Sequence, residues 1–255
     1  MTTLQNKTAL VTGASRGIGR ATASALAKAG ARVLVHYGRS AQEAESLVTG
    51  IRSNGGRADA IRADLGTPDG ATLLAKEVRS LVGERLDVLV ANAGITKSAI
   101  FKDHTVEDFD NLFATNVRGP FFLVQQLLPI LGEGSNIIVI SSAVARTVVG
   151  KPGLENRSIL AYAATKGAIE TLVKNWAAML GPQGIRVNAV APGVIDTDMS
   201  NFTKTEAGRE ATLGMQALKR IGQPEDVADV AAFLASDGAR WITGASIPVD
   251  GGSKL

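Results

Sequence analysis

Tyr162 and Lys166 stand four residues apart in Ser158-Ile159-Leu160-Ala161-Tyr162-Ala163-Ala164-Thr165-Lys166, a stretch that reads as the start of a helix. That spacing stacks the two side chains on one helical face. A phenol in water titrates near ~10 and exchanges protons poorly at neutral pH. An ammonium one turn away is expected to favour the phenolate and bring that pKa toward the working range. Such a pair passes a proton to or from a carbonyl or alcohol oxygen. The same spacing also recurs by accident on solvated helix faces, so its meaning depends on the surrounding residues.

Thr12-Gly13-Ala14-Ser15-Arg16-Gly17-Ile18-Gly19 joins an apolar run to a helical pattern. Gly13, Gly17 and Gly19 permit a tight turn and the close approach of a pyrophosphate to the helix N-terminus. The spacing is G-x-x-x-G-x-G, not the commoner G-x-G-x-x-G. Gly13 to Gly17 also fits G-x-S-x-G, the nucleophile elbow of α/β-hydrolases. That chemistry requires an acid and then a histidine after the serine. His36 follows Ser15 too soon, and His104 lies far from the C-terminal region where such a histidine belongs. A hydrolase is therefore rejected.

After the second apolar run comes His36-Tyr37-Gly38-Arg39-Ser40. An NAD-preferring site places an acid here, about 20 residues beyond the glycine loop. None is present, so Arg39 and Arg16 are expected to clamp a 2′-phosphate, with Ser40 as a further donor. NADP(H) is favoured over NAD(H). Asp64-Leu65 closes the third run, its carboxylate placed to accept from an adenine amino group. Asn92-Ala93-Gly94 closes the fourth, where small residues admit a cofactor. In Asn116-Val117-Arg118-Gly119-Pro120 a proline interrupts a helical pattern. Pro120 has no N–H, so a kink is expected, with the carbonyl of Asn116 left free to hold a water. Ser141-Ser142 follows the fifth run and Pro192-Gly193-Val194-Ile195-Asp196-Thr197 the sixth.

The elements that must position these residues are short apolar runs alternating with longer helical patterns. Expected strands are Thr8–Val11, Arg32–His36, Arg57–Ala63, Asp87–Ala91, Asn136–Ile140, Arg186–Val190 and Ala245–Val249. Helices are expected over Gly17–Ala29, Ala41–Asn54, Gly70–Val82 and, as one long element, Val106–Leu131. Continuous apolar strands separated by helices imply a parallel sheet covered on both faces. This is an α/β chain of Rossmann type, a single-domain doubly wound seven-stranded parallel sheet. Such sheets bind ligands at the carboxyl ends of the strands, where strand order reverses. The chemistry-bearing residues all fall at that one edge.

Composition narrows the partners. A net charge of +3 with scattered Lys and Arg argues against nucleic acid. There is no cysteine, which removes disulfides, thiolate nucleophiles and Cys-ligated metals. With two histidines, a His-rich metal site is not expected. No apolar run reaches the ~18 residues of a membrane span and the N-terminus has no signal-like core. A soluble cytoplasmic protein is expected.

Taken together, Thr12–Gly19, Asp64, Asn92-Ala93-Gly94, Asn116, Ser142, Tyr162/Lys166, Pro192-Gly193 with Thr197, and Asp250-Gly251-Gly252 resemble the short-chain dehydrogenase/reductase family along essentially the whole chain. The resemblance implies that Tyr162 is the general acid for ketone reduction and the base for alcohol oxidation. It implies that Ser142 holds the substrate oxygen, that Lys166 lowers the tyrosine pKa and binds the nicotinamide ribose, and that Asn116 completes a water-linked relay to Lys166. Ile195 and Thr197 would hold the carboxamide, with the hydride coming from the nicotinamide. No metal is implied. Pairing of the helices bearing Asn116 and Tyr162 across a subunit interface would give a homotetramer.

Within the family the chain resembles 3-oxoacyl-acyl-carrier-protein reductases, with two departures. The segment between Ser142 and Tyr162 is long, with Val149–Arg157 expected to overhang the substrate mouth, either shaping specificity or as a tolerated insertion. Where those reductases offer basic residues to an acidic carrier, this chain has Glu133 and Gln183. A small free carbonyl compound is thus favoured over a carrier-bound one. Residues 198–216 read as a substrate lid or a surface helix pair. Gln223-Pro224-Glu225-Asp226 reads as a helix start. A non-enzymatic NADP(H)-binding sensor is the rival from another class, though it has no need of Ser142, Tyr162 and Lys166 together.

Overall fold

Strands that are apolar on both faces can be buried only between two layers, and helices cover both faces of this sheet. The computed structural model describes residues 3–148 and 153–253. Its strands are β1 (Thr8–Val11), β2 (Arg32–Tyr37), β3 (Arg57–Arg62), β4 (Val88–Ala91), β5 (Ala99–Ile100), β6 (Asn136–Ile140), β7 (Arg157–Ser158), β8 (Arg186–Pro192) and β9 (Ser246–Val249). Its α-helices are α1 (Gly17–Lys28), α2 (Ala41–Ser53), α3 (Gly70–Val82), α4 (Val106–Phe113), α5 (Gly119–Leu127), α6 (Leu160–Leu180), α7 (Glu206–Met215) and α8 (Pro224–Ala235).

Seven strands form one parallel sheet in the order β3-β2-β1-β4-β6-β8-β9. Successive side chains divide between the faces. Leu10, Leu34, Leu89 and Ile137 pack against α3, α5 and α6, while Val11, Val35, Val90 and Ile138 pack against α1, α2 and α8. The chain winds outward from β1 to β3, then returns to place β4 on the other side of β1. Strand order therefore reverses between β1 and β4, and that crevice is where a doubly wound sheet takes its ligand.

Two helices differ from expectation. The long helix over Val106–Leu131 is not continuous: a π-helical turn at Ala114–Arg118 separates α4 from α5, and a 3-10 turn at Leu128–Ile130 ends it. The wider turn puts Pro120 in the first turn of a new α-helix, where its missing N–H has no partner to lose. Helix α6 begins at Leu160 rather than Ser158, because Arg157 and Ser158 form an antiparallel ribbon with Ile100 and Ala99. Of the long segment between Ser142 and Tyr162, residues 149–152 lie outside the described residues. Its latter part is tied down by the ribbon and by a Lys102–Glu155 ion pair at 3.0 Å.

Gly19 opens the packing of α1 on the sheet. A Cβ there would lie 2.3 Å from the Gly13 carbonyl oxygen and 2.5 Å from Asn92 Nδ2. Gly50, on the exposed side of α2, has nothing within 4 Å of its added Cβ. The two alanine substitutions should have opposite signs. Gly19→Ala is expected to destabilise by about 1–3 kcal/mol through overpacking, lowering Tm by roughly 2–10 °C. Gly50→Ala should stabilise by about 0.5–1 kcal/mol through helix propensity. Thermal unfolding of both variants checks this; equal shifts would contradict it.

Candidate active site

The reversal crevice is fastened before it is furnished. Thr12 Oγ1 accepts the backbone N–H groups of Asn92 at 2.9 Å and Ala93 at 3.0 Å. In return, Asn92 Nδ2 donates to the carbonyls of Thr12 at 2.8 Å and Gly13 at 3.1 Å. The side chain of Asn92 thus joins the ends of β1 and β4. Gly13 has φ +63°, and a Cβ there would sit 2.9 Å from Ala93 Cα, so the turn requires glycine. Gly17 (φ +54°) packs its α-carbon toward Thr197, bringing the glycine loop against the segment after β8.

The residues of this cradle fit a dinucleotide. Helix α1 starts at Gly17 with no side chain capping its N-terminus and no acid in its first turn, which leaves its first N–H groups for an anion. Ser15 is buried beneath the loop, and Ile18 packs on the core. Arg39 is exposed at the end of β2, and Ser40 precedes α2 without capping it. Asp64 is exposed, its Oδ1 accepting the Gly66 N–H at 2.9 Å, while Leu65 is buried against Gly119. Gly193 lies against Asp250, where a Cβ would meet Asp250 Cα at 2.8 Å. Pro192 ends β8, Ile195 is buried, and Thr197 caps the 3-10 segment Asp198–Lys204 together with Ser200.

Arg16 is placed differently from expectation. It does not turn toward Arg39; its Nη1 pairs with Asp198 Oδ2 at 3.1 Å. The reason is proximity: Gly17 abuts Thr197, so the side chain before one meets the side chain after the other. Both partners are more than half exposed, so the pair is worth no more than about 1 kcal/mol.

Tyr162, Lys166 and Ser142 converge beside β6. Ser142 caps the 3-10 turn Ala143–Ala145, and its Oγ accepts the Val144 N–H at 3.4 Å. Burial pushes the Tyr162 phenol up to about 12, and the hydrogen bond from Ser142 pulls the other way. Lys166 is 5% exposed and donates from Nζ to the Ile140 carbonyl at 2.7 Å, its ammonium 5.6 Å from the Tyr162 ring centroid. Burial lowers the lysine to about 8. The expected acidification of the phenol by its neighbour is therefore not the dominant effect in this chain. Desolvation acts on both groups and disfavours both charged forms. At pH 7 the phenol is neutral and carries its proton.

Asn116 lies in the π turn, 2% exposed, with its side chain fully engaged. Its Oδ1 accepts the Ile95 N–H at 2.9 Å, and its Nδ2 donates to the Ile95 carbonyl at 2.9 Å and to Thr165 Oγ1 at 3.1 Å. Thr165 Oγ1 in turn donates to the Tyr162 carbonyl at 2.7 Å. The Asn116 amide thus ties the loop after Gly94 to the helix that bears Tyr162 and Lys166.

Sequence reasoning missed two residues that shape the site. The first is His36, to which the sequence assigns no role in the site. It is buried at the end of β2, where Nδ1 accepts the Gly13 N–H at 3.1 Å and Nε2 faces the Ala63 carbonyl at 3.1 Å. Its own carbonyl accepts the Ala14 N–H at 2.8 Å. This fixes the ring as the neutral Nε2–H tautomer and pins the start of the glycine loop. Burial lowers its pKa to about 4. Its lone position in a buried strand was the available signal. The other missed residue is Glu170, which sits eight residues after Tyr162 on the same helical stripe.

The family model described as enoyl-(acyl carrier protein) reductase matches residues 13–254. The sequence is 43% identical to versicolorin reductase stcU of Emericella nidulans, over 98% of this chain and 96% of that protein. It is 42% identical to the 3-oxoacyl-acyl-carrier-protein reductase FabG of Staphylococcus aureus, over 98% of each chain. A short-chain dehydrogenase from Burkholderia cenocepacia, crystallised in complex with NADP, superposes with a TM-score of 0.92 at 38% identity over 99% of both chains.

His36 also makes stability depend on pH. The folded state holds it neutral with a pKa near 4, against about 6.5 in the unfolded chain. Between these values the unfolded state binds more protons, so stability present above pH 6.5 is lost as pH falls toward 4. The loss should approach on the order of 3 kcal/mol. Urea unfolding across this window checks it, because His36→Asn removes the titrating group and should flatten that part of the profile.

Proposed function

The chain belongs to the short-chain dehydrogenase/reductase family, and on that premise we propose that it reduces the ketone of a small carbonyl compound to a secondary alcohol with NADPH, and catalyses the reverse oxidation. The observation that carries this reading is the convergence of Ser142, Tyr162 and Lys166 on the end of β6, beside a cradle suited to a dinucleotide. The glycine loop, Asn92-Ala93-Gly94, Asp64 and the Pro192–Thr197 segment line the same sheet edge and would hold the cofactor. When bound there, the nicotinamide supplies the hydride.

The protein groups supply the proton and the position. Tyr162, neutral at pH 7, gives its proton to the carbonyl oxygen as negative charge develops there. Ser142 donates a hydrogen bond to the same oxygen and fixes it against the phenol. Lys166 places positive charge behind the ring, which stabilises the phenolate left after transfer. Alcohol oxidation requires the phenolate first, so it should rise with pH while reduction does not. The Asn116 carbonyl would carry the water that returns the proton to Lys166.

Exposed Arg39 and half-buried Ser40, whose side chains have no protein partner among the described residues, would take the 2′-phosphate of NADP(H). Residues 198–216, with Met199 and Phe202 exposed, would form the substrate lid. Exposed apolar side chains on α4, α5 and α6, among them Phe109, Phe121, Phe122 and Met179, support a homotetramer that pairs the helices bearing Asn116 and Tyr162. A second reading, reduction of a 3-oxoacyl group on a carrier protein, draws on the identity to FabG. Against it stand exposed Glu133 and Gln183, which offer nothing to an acidic carrier.

Tyr162→Phe should lower kcat by about 10²–10⁴-fold while leaving the Kd for NADPH largely unchanged. Measurement of NADPH oxidation over a panel of β-ketoesters, diketones, ketosugars and steroid ketones, with an acyl-carrier thioester included, checks this. Near-full turnover by the variant would remove Tyr162 from the mechanism. Binding without turnover across the panel would favour the sensor.

Loss of a charge-assisted contact worth about 1.5–3 kcal/mol predicts a different result for Arg39→Ala. It should weaken NADPH binding by about 10–100-fold and leave NADH binding unaffected. Fluorescence titration with both cofactors separates the cases; equal losses would assign Arg39 elsewhere.

A further inference from the structure

Glu170 follows Tyr162 by eight residues and Lys166 by four, so all three share one stripe of α6. Its side chain is 11% exposed. A buried carboxylate is tolerated only when its oxygens are satisfied, and here three donors from three segments do so. Oε2 accepts from Arg146 Nε at 2.7 Å, while Oε1 accepts from Ser141 Oγ at 3.2 Å and from Ser246 Oγ at 2.7 Å. Ser141 immediately precedes Ser142. Arg146 immediately follows the 3-10 turn that Ser142 caps. The chain is therefore fastened to one carboxylate on both sides of Ser142, and that carboxylate rides on the helix that carries Tyr162. Ser246, at the start of β9, adds a third tether that fixes the carboxylate itself.

We propose that Glu170 is a positioning residue for the reaction: it holds the Ser142 hydroxyl in register with the Tyr162 phenol by anchoring Ser141 and Arg146 to α6. The inference rests on the roles given above to Ser142 and Tyr162. The anchor matters because Ser142 sits at a strand terminus followed by a single 3-10 turn, where its carbonyl accepts the Ala145 N–H at 3.0 Å but its hydroxyl takes only a long 3.4 Å bond from the Val144 N–H within the turn. A small displacement of a group that orients substrate costs about 10²-fold in rate. Arg146 is the exposed end of the anchor, with half its side chain in solvent, and Glu170 the buried end.

Glu170→Gln separates this role from simple packing. The amide keeps the volume and one accepting oxygen for the serines, but it turns an NH2 toward Arg146 and opposes two donors. We expect kcat for ketone reduction to fall by about 10–100-fold with the Kd for NADPH unchanged. The decisive measurement is the double variant. If Glu170 acts through Ser142, Ser142→Ala/Glu170→Gln should turn over within about twofold of Ser142→Ala alone, because coupled residues do not add. Multiplicative losses, or an unchanged kcat in Glu170→Gln, would overturn the proposal. Should Glu170→Gln fail to fold, Arg146→Gln removes the same anchor from its exposed end and is read in the same two backgrounds with the same criteria. The underlying assignment fails separately: Ser142→Ala with wild-type turnover would refute the role of Ser142 and this inference with it.

Discussion

The junction between Thr12 and Asn92 is the constraint on which the rest of this molecule depends. A parallel sheet that winds in two directions must leave a gap between the two strands at which it reverses, here β1 and β4. Backbone pairing alone ends at Val11 and Val90. Beyond it, a threonine hydroxyl and an asparagine amide carry the ladder two residues further, bonding the N–H groups of Asn92 and Ala93 and the carbonyls of Thr12 and Gly13. The glycine loop inherits its position from that junction. His36 completes it from the other side by holding the amide of Gly13 on a ring that cannot carry charge at neutral pH.

The half of the site proposed to carry the chemistry is built on a second fixed distance, between α6 and the end of β6. Lys166 reaches the Ile140 carbonyl, Glu170 reaches Ser141, and Thr165 meets Asn116 from the neighbouring π turn. Consecutive turns of one helix thus bond to the end of the strand from which Ser142 emerges. Few of these contacts touch the place where a substrate would lie. They make the helix and the strand terminus move as one body, which proton transfer over hydrogen-bond distances requires.

Desolvation sets the electrostatics of this region more than charge pairing does. The phenol is raised and the lysine lowered by the same dry environment. At neutral pH the result is a protonated tyrosine next to a lysine, the state that suits reduction of a ketone. In the proposed reaction, the reverse direction would first create a phenolate, and the nearby ammonium is the group that would favour it.

Much of this was written in the residues themselves. The seven parallel strands, the helices between them and the clustering of Gly13, Asn92, Ser142, Tyr162 and Lys166 at one sheet edge follow from apolar runs, glycines and the i, i+4 spacing, because these patterns act locally. Pro120 likewise announced a break, although the chain absorbed it as a π turn before the proline rather than as a kink within one helix. What sequence could not decide were the effects of burial and of distant partners. Whether Lys166 or desolvation governs Tyr162 depends on how much water the folded pocket admits. That Arg16 meets Asp198, 182 residues away, depends on how closely the glycine loop approaches the turn after β8. The joining of Glu170 to Ser141, Arg146 and Ser246 depends on three segments meeting at one carboxylate. Spacing along a chain specifies which side chains share a face, but only the packed structure specifies what that face meets.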